Sequence, residues 1–270
     1  MAHSLSPVLH GAAYAALGLD GWRYAAHECD EAGLPGFVAA LDERWAGLSL
    51  TMPLKRVALR VADEVSPLAA ATGAANTLIL HGGRGRADNT DVAGMVAALA
   101  DAGVGAGAGT GVHGRAVVLG AGGTAQAALA ALAALGIPDV TVLVRSDARA
   151  GELRAAATRL GVRPNVREAL TDPARAAAAL AGADVVVSTL PAGAADALAV
   201  PETGAVVLDV VYEPWPTPFA AAAAAAGARV VGGLEMLLHQ AVAQVELMTG
   251  RPGPVDAMRE ALDAAVAARA

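Results

Sequence analysis

Lysine is almost absent from this chain. Of its nineteen Lys and Arg residues one is a lysine, Lys55, inside the stretch LSLTMPLKR at 48–56. Arg and Lys exchange on solvated faces but not where a compact, deprotonatable cation is needed. The arginine excess, with abundant Ala and Gly, reads as compositional bias, and a lysine that survives such bias marks a position where chemistry is expected. Cysteine is as scarce: Cys29 stands alone, which excludes an internal disulfide and a cysteine-based metal cluster. No His/Asp/Glu cluster has ligand spacing, so no metal is expected. Aromatics make up 3% of residues, and the core must therefore be built from Ala, Val and Leu. There is no basic block and the net charge is −7, which argues against a nucleic-acid groove. The apolar run at 219–226 is far short of the about 20 residues of a membrane span. No charged-then-apolar leader opens the chain, and a soluble cytoplasmic protein without a membrane partner is expected.

What is there has a strand–helix rhythm. A length of 270 residues suits one large domain or two ordinary ones, and no repeat of fixed period is present. The Gly-rich stretch GVGAGAGTGVHG at 103–114 is the linker candidate. Before it, SPVLHGAAYAALG predicts a helix with Ser6 as N-cap and Pro7 at the first helical position. WRYAAHEC reads as a strand, DEAGLPGFVAALDERW as a helix and WAGLSLTM as a strand. Pro53 then opens a helix with Lys55 in its first turn. ANTLILH and GGRGRADN read as strand, turn and return, and Asp91 opens the helix DVAGMVAALADAG. After the linker the pattern is βαβ: AVVLGAGGTAQAALAALAALG, the strand VTVLV, the helix ARAGELRAAATRLG, then ADVVVSTL and AVVLDVVY, apolar strands of the kind buried on both faces. TPFAAAAAAAG, ARVVGG and two terminal helices complete an α/β chain with a parallel sheet in its second half.

Gly120, Ala121, Gly122, Gly123, Thr124 and Ala125 follow the strand RAVVL directly and open a helix. This is the dinucleotide fingerprint G-x-G-x-x-A in its required setting. The first glycine makes the turn, Gly122 admits a pyrophosphate to the backbone, and Ala125 keeps helix and strand close. The helix N-terminus supplies N–H groups for the phosphates. An NAD site would place an acid at the tip of the second strand. Here Val144 is followed by Arg145, Ser146 and Asp147, with Arg149 one turn on. Two arginines and a hydroxyl suit a 2′-phosphate, so NADP is the expected cofactor. Asp147 counts the other way, as a repelling charge or an N-cap.

In the first segment the unusual polar residues fall where strands and turns end: Ser4, Ser6, Thr51, Lys55, Asn76 and Asp91. A lysine oriented by an aspartate can manage the proton in a hydride transfer at a carbonyl, and serines at spacing two are donors suited to a carboxylate. HSLSP, LTMPLK, AANT, DNTD, GAGGTAQA, DVVYEPWPTP and GGLEMLLHQA, in this order, resemble the shikimate dehydrogenase family over essentially the whole chain. Seven ordered motifs make the resemblance specific. It implies Ser4 and Ser6 on the substrate carboxylate, Lys55 as catalytic residue with Asp91 as its partner, and Thr51, Asn76 and Gln240 on substrate hydroxyls. It places Tyr212 near the substrate and Gly233 with the cofactor set. The implied reaction is NADPH-dependent reversible reduction of 3-dehydroshikimate to shikimate, in aromatic amino-acid biosynthesis.

The implied architecture is two α/β domains: a substrate domain over 1–97, a Rossmann-type NADP-binding domain over 98–232, and C-terminal helices over 233–270 that return to the substrate domain. A small-molecule substrate and a monomer or homodimer are expected. Two features depart from the family. Its N-R-[ST] appears as Val144-Arg145-Ser146, so an Asn contact to the cofactor is lost. The chain also begins inside the first motif, at Met1-Ala2-His3. A first strand is therefore expected to be absent, leaving its neighbours with unpaired backbone groups. The competing expectations are a quinate/shikimate dehydrogenase using NAD and a truncated NADP-binding paralogue without turnover. Of the remaining residues, His10 reads as a surface or capping histidine, His81 and His113 as exposed, and Trp22 and Trp45 as core. His3 lies beside the serines, and His239 is expected to point off the site face.

Overall fold

The structure is a computed structural model that describes residues 4–105, 114–201 and 204–269. His3, His113 and most of the Gly-rich stretch lie outside the described residues. The chain divides into two compact units, Met1–Ala70 with Ala74–Gly94 and Leu237–Ala270, and Ala71–Gly73 with Met95–Met236.

The elements run, in chain order, α1 (Ser6–Ala16), α2 (Leu34–Ala39), β1 (Gly47–Ser49), α3 (Val57–Val61), β2 (Glu64–Val65), α4 (Pro67–Thr72), β3 (Thr77–His81), β4 (Arg84–Asp88) and α5 (Thr90–Asp101). The strands form one sheet in the order β1-β3-β4-β2. β3 and β4 pair antiparallel with His81 opposite Arg84. Gly82 and Gly83 between them both have positive φ, 57° and 75°, as a two-residue hairpin loop requires. Leu34, Leu50, Leu54, Val57, Ala58, Leu78 and Ala87 form the apolar core of this unit.

Several local expectations shift. α1 begins at Ser6 itself, with Leu5 in the cap position, because the Ser4 hydroxyl accepts the Ser6 N–H at 3.3 Å. The helix expected over 30–45 shortens to α2. Leu41 and Trp45 make i→i−3 bonds instead, and the Asp42 carboxylate folds back onto the Arg44 N–H at 3.1 Å. Such local side-chain bonds compete with helix. The segment 22–29 joins no ladder among the described residues. It is held by ring contacts, Tyr24 on His10 at 4.3 Å and Trp22 on Tyr14 at 5.3 Å. Trp22 is half-buried, and Trp45 is 42% exposed with its ring edge-on to Phe37, so neither sits in the core. His81 is exposed, as expected.

The second unit holds β5 (Arg115–Leu119), α6 (Gly123–Ala134), β6 (Asp139–Val144), α7 (Gly151–Leu160), β7 (Asn165–Glu168), α8 (Pro173–Leu180), β8 (Val185–Ser188), β9 (Val206–Asp209), α9 (Pro218–Ala225) and β10 (Arg229–Gly232). All its ladders are parallel, in the order β10-β9-β8-β5-β6-β7. The order reverses at β5, which lies between β8 and β6. The carboxyl end of such a switch point is where doubly wound sheets bind ligands. β8 and β9 are buried at every position, as continuous apolar runs predict. Phe219, Leu119, Leu143, Leu180, Val186 and Val207 centre the core between sheet and helices. Two elements escape the sequence reading. β7 is a largely exposed edge strand, and α8 carries a signal that could have found it: Asp172 caps the Ala174 and Arg175 N–H groups and Pro173 opens the first turn. α10 (Gly233–Thr249) and α11 (Val255–Ala267) close the chain, with α11 packed along α1. No helix among the described residues is long and apolar enough to cross a membrane.

Candidate active site

In the first unit the centre is a buried asparagine just before β3. Asn76 Nδ2 donates to Asp91 Oδ1 at 2.8 Å and to Gln240 Oε1 at 3.2 Å. Its Oδ1 accepts from the Thr90 N–H and the Thr77 hydroxyl, both at 2.8 Å. A carboxylate only accepts, so the amide can point only this way. Asp91 sits in the first turn of α5, 5% exposed, and takes the Asn89 side-chain oxygen on its own N–H at 3.2 Å. Its second oxygen, Oδ2, receives the Lys55 ammonium at 2.5 Å.

Lys55 is not in the first turn of a helix. It lies in the turn 52–56 ahead of α3, where Leu54 N–H bonds Thr51 O and the first helical bond is Ala58 to Leu54. Buried Leu50 and Leu54 anchor this turn, and the Ala75 N–H bonds the Lys55 carbonyl at 2.8 Å. The lysine side chain keeps 21% exposure, so an ammonium paired on one side faces open space on the other. Asp91 takes one of its three protons, and the arrangement can pass another to an acceptor placed there. Thr51 is exposed beside it.

A second polar cluster adjoins this centre, and it overturns the expectation for His10. The ring is fully buried, with Nε2 3.2 Å from Gln244 Oε1 and Nδ1 3.3 Å from the Tyr14 hydroxyl. Burial pulls its pKa down to about 4, against a smaller upward pull from Gln244. A helical position of short sequence separation gave no sign of a partner 234 residues away. Burial likewise raises Tyr14 to about 12 and raises Tyr24, against smaller downward pulls from the Ser49 and Ser6 hydroxyls. Ser4 and Ser6 are both half-buried at the start of α1. Tyr24, Ser49, Thr77 and Gln244 are thus polar residues of this region that spacing did not single out.

In the second unit, Gly120 has φ +109°, and an added Cβ would stand 2.6 Å from the Thr189 hydroxyl. At Gly122 an added Cβ would meet nothing within 4 Å, so the space over the α6 N-terminus is open to a phosphate. Ala121, Gly123 and Thr124 are half-buried around it, and Ala125 is fully buried against the strand side. Arg145 and Arg149 are exposed at the tip of β6, with Ser146 half-buried between them. Asp147 is neither an N-cap nor a free charge. Its carboxylate is ion-paired with Arg154 and its N–H donates to Glu168 at 2.9 Å. These residues fit a phosphorylated dinucleotide. Gly233 packs where a Cβ would strike the Val210 carbonyl at 2.2 Å. Tyr212 is half-buried in the loop after β9. Asp209 clamps that loop by accepting from the Thr217 hydroxyl at 2.7 Å and the Val211 N–H at 3.2 Å, and burial pushes its carboxyl above the usual range. Among the described residues no group of His, Cys, Asp or Glu could hold a metal ion.

Comparison with known proteins bears on each part. The shikimate dehydrogenase substrate binding domain matches residues 1–78, and the shikimate 5'-dehydrogenase C-terminal domain matches 233–262. The saccharopine dehydrogenase NADP binding domain matches 116–231. The shikimate dehydrogenase (NADP(+)) of Symbiobacterium thermophilum is 37% identical over 278 residues, covering 98% of this chain and 92% of the relative. The shikimate dehydrogenase structure from Mycobacterium tuberculosis is 46% identical with a TM-score of 0.85, covering 98% of this chain and 96% of that one. The Thermus thermophilus enzyme, solved in complex with NADP(H) and shikimate, is 34% identical with a TM-score of 0.82, covering 98% and 95%. Identity of this level, carried over nearly the whole length in sequence and in fold, agrees with the ordered motifs: the chain belongs to the shikimate dehydrogenase family.

Proposed function

We propose that this chain catalyses the NADP-dependent, reversible reduction of 3-dehydroshikimate to shikimate. The observation that carries the reading is the Lys55 ammonium held on Asp91 at 2.5 Å, with Asn76 fixing the other carboxylate oxygen. Lys55 gives its proton to the carbonyl oxygen as that oxygen becomes a hydroxyl, and takes it back in the reverse direction. Asp91 orients Lys55 and stabilises its charge. A guanidinium could not replace it, because arginine does not release a proton near neutral pH. Ser4 and Ser6 hold the substrate carboxylate. Thr51, Asn76 and Gln240 hold its hydroxyls, and Tyr212 lies near it.

Bound NADPH supplies the hydride that the ketone carbon accepts. Residues 120–125 and the α6 N-terminus hold its pyrophosphate, and Arg145, Ser146 and Arg149 its 2′-phosphate. The pairing of Asp147 with Arg154 supports NADP over NAD, since it offsets the acidic charge nearest Arg145 and Ser146 in sequence. Gly233 belongs with the cofactor residues through its close fit on the loop after β9. The division of labour follows the sequence, with the substrate bound by 1–97 and the helices of 233–270 and the cofactor by 98–232. A cytoplasmic setting and a monomer or homodimer with no nucleic-acid or membrane partner complete the proposal; the net charge of −7 argues against the nucleic-acid partner.

The test is absorbance-followed reduction of NADP and of NAD by the purified chain, with shikimate and with quinate in parallel. Shikimate-selective NADP reduction is expected. A preference for quinate with NAD would replace this reading with the quinate one, and cofactor binding without any turnover would replace it with a non-catalytic NADP-binding protein.

A further inference from the structure

Gln244 lies one helical turn after Gln240 on α10, is 1% exposed, and has every valence of its amide engaged. Nε2 donates to the Thr77 hydroxyl at 3.0 Å and to the Asn76 carbonyl at 3.4 Å. Oε1 accepts from the Ser49 hydroxyl at 2.8 Å and faces His10 Nε2 at 3.2 Å. The partners come from β1, the start of β3, and α1. A carbonyl oxygen can only accept, so the Asn76 contact fixes which end of the amide is nitrogen. Everything else follows by proton accounting. His10 must carry its hydrogen on Nε2, and its Nδ1 accepts from the Tyr14 hydroxyl. Ser49 gives its hydroxyl proton to Gln244. One network thus runs from Asn76, which holds Asp91 and through it Lys55, through Gln244 to His10 on α1, the helix that begins at Ser6.

We propose that Gln244 is a positioning residue that couples the Asn76–Asp91–Lys55 corner of the substrate site to its Ser6 end. The proposal rests on the shikimate reading for its substrate. It assigns Gln244 no contact with that substrate. Its amide sets the main chain at Asn76 and the seat of His10, and with it the start of α1 at Ser6, so both ends loosen together when it is lost.

The experiment is Gln244→Met, which keeps the length of the side chain and removes its donors and acceptors. The expected result is a fall in kcat/KM for shikimate of about a hundredfold, with a KM rise of at least tenfold and NADP affinity within twofold of the parent. In a double-mutant cycle, Ser6→Ala should cost several-fold less in the Gln244→Met background than in the parent. Parental kinetic constants in the folded variant, or additive effects of the two changes, overturn the proposal. If Gln244→Met does not fold, Gln244→Glu keeps the acceptors for Ser49 and His10 but sets a carboxylate against the Asn76 carbonyl. That variant should lose turnover more than substrate affinity, and equal constants to the parent overturn the proposal. A readout without turnover separates it from the shikimate reading. Nitrogen-detected side-chain spectra of the parent should show His10 as the neutral Nε2–H tautomer at neutral pH. An Nδ1–H or charged ring there overturns the network even if the substrate proves to be another.

Discussion

The two units bury different things. In the second, the main core cluster is Val, Leu, Ala and one Phe, and the middle strands β8 and β9 are apolar except at their carboxyl ends, where Ser188 and Asp209 are buried. In the first, the strands are two to five residues long, and His10, Asn76, Thr77, Asn89, Thr90, Asp91, Gln240 and Gln244 are all below the surface. Apolar burial is non-directional and tolerates any filling of the right volume. A buried amide or imidazole must instead find its partner in one geometry, or leave a polar group unsatisfied at about 1–3 kcal/mol. The second unit therefore has the character of a scaffold, and the first that of a fixed polar constellation.

Five substitutions or titrations can break this contrast. The largest expected effect is on the scaffold. Phe219→Ala empties the largest fully buried side chain of the second unit and should destabilise it by about 3–5 kcal/mol. Denaturant unfolding checks this, and turnover of the remaining folded enzyme should stay near the parent's. A polar counterpart follows from His10. Its folded pKa of about 4 lies below the ordinary value, so the unfolded chain binds the extra proton between about pH 6.5 and 4. The stability from neutral His10 is complete above that window and falls by about 3 kcal/mol as pH drops through it. The groups facing the ring are Tyr14, Tyr24 and Gln244, none of them charged at these pH values. His10→Gln should flatten the slope in unfolding measured against pH. Asp209 should act with the opposite sign. Its raised folded pKa means the folded state holds the proton longer, so stability falls as pH rises from the ordinary carboxylate range through the folded value. Asp209→Asn should remove that term.

Next comes chemistry without stability. Lys55→Ala should cut shikimate turnover by at least about a hundredfold, about 2.7 kcal/mol in barrier, while NADP affinity holds. Turnover within a few-fold of the parent removes Lys55 from the mechanism. The smallest effect is a cap: Thr217→Ala frees the Ala220 N–H at the start of α9 and one oxygen of Asp209, at about 1 kcal/mol. Thermal unfolding would register it.

The same contrast explains what could be read in advance. The parallel sheet, its glycine turn and the run of strands into helices were legible because burial on both faces writes itself as Val and Leu in sequence. β7 escaped because an exposed edge strand carries no such run. Lys55, Asn76, Asp91 and Gln240 were legible through motifs, and their four-way convergence is what the fold adds. From its own segment His10 reads as a surface group. Its burial depends on Gln244 and Tyr24, and a hydrogen bond across 234 residues leaves no period in the sequence.

Asn76 has one more implication. Both of its amide protons already have acceptors, in Asp91 and Gln240. A ligand that reaches this amide can gain only the difference between its own bond and the one it displaces, not a whole hydrogen bond. The enthalpy of occupying the position is therefore small, and discrimination becomes geometric. Molecules that fail to place an oxygen where the Gln240 side chain now rests have nothing to trade, and the protein closes over its own glutamine in their place.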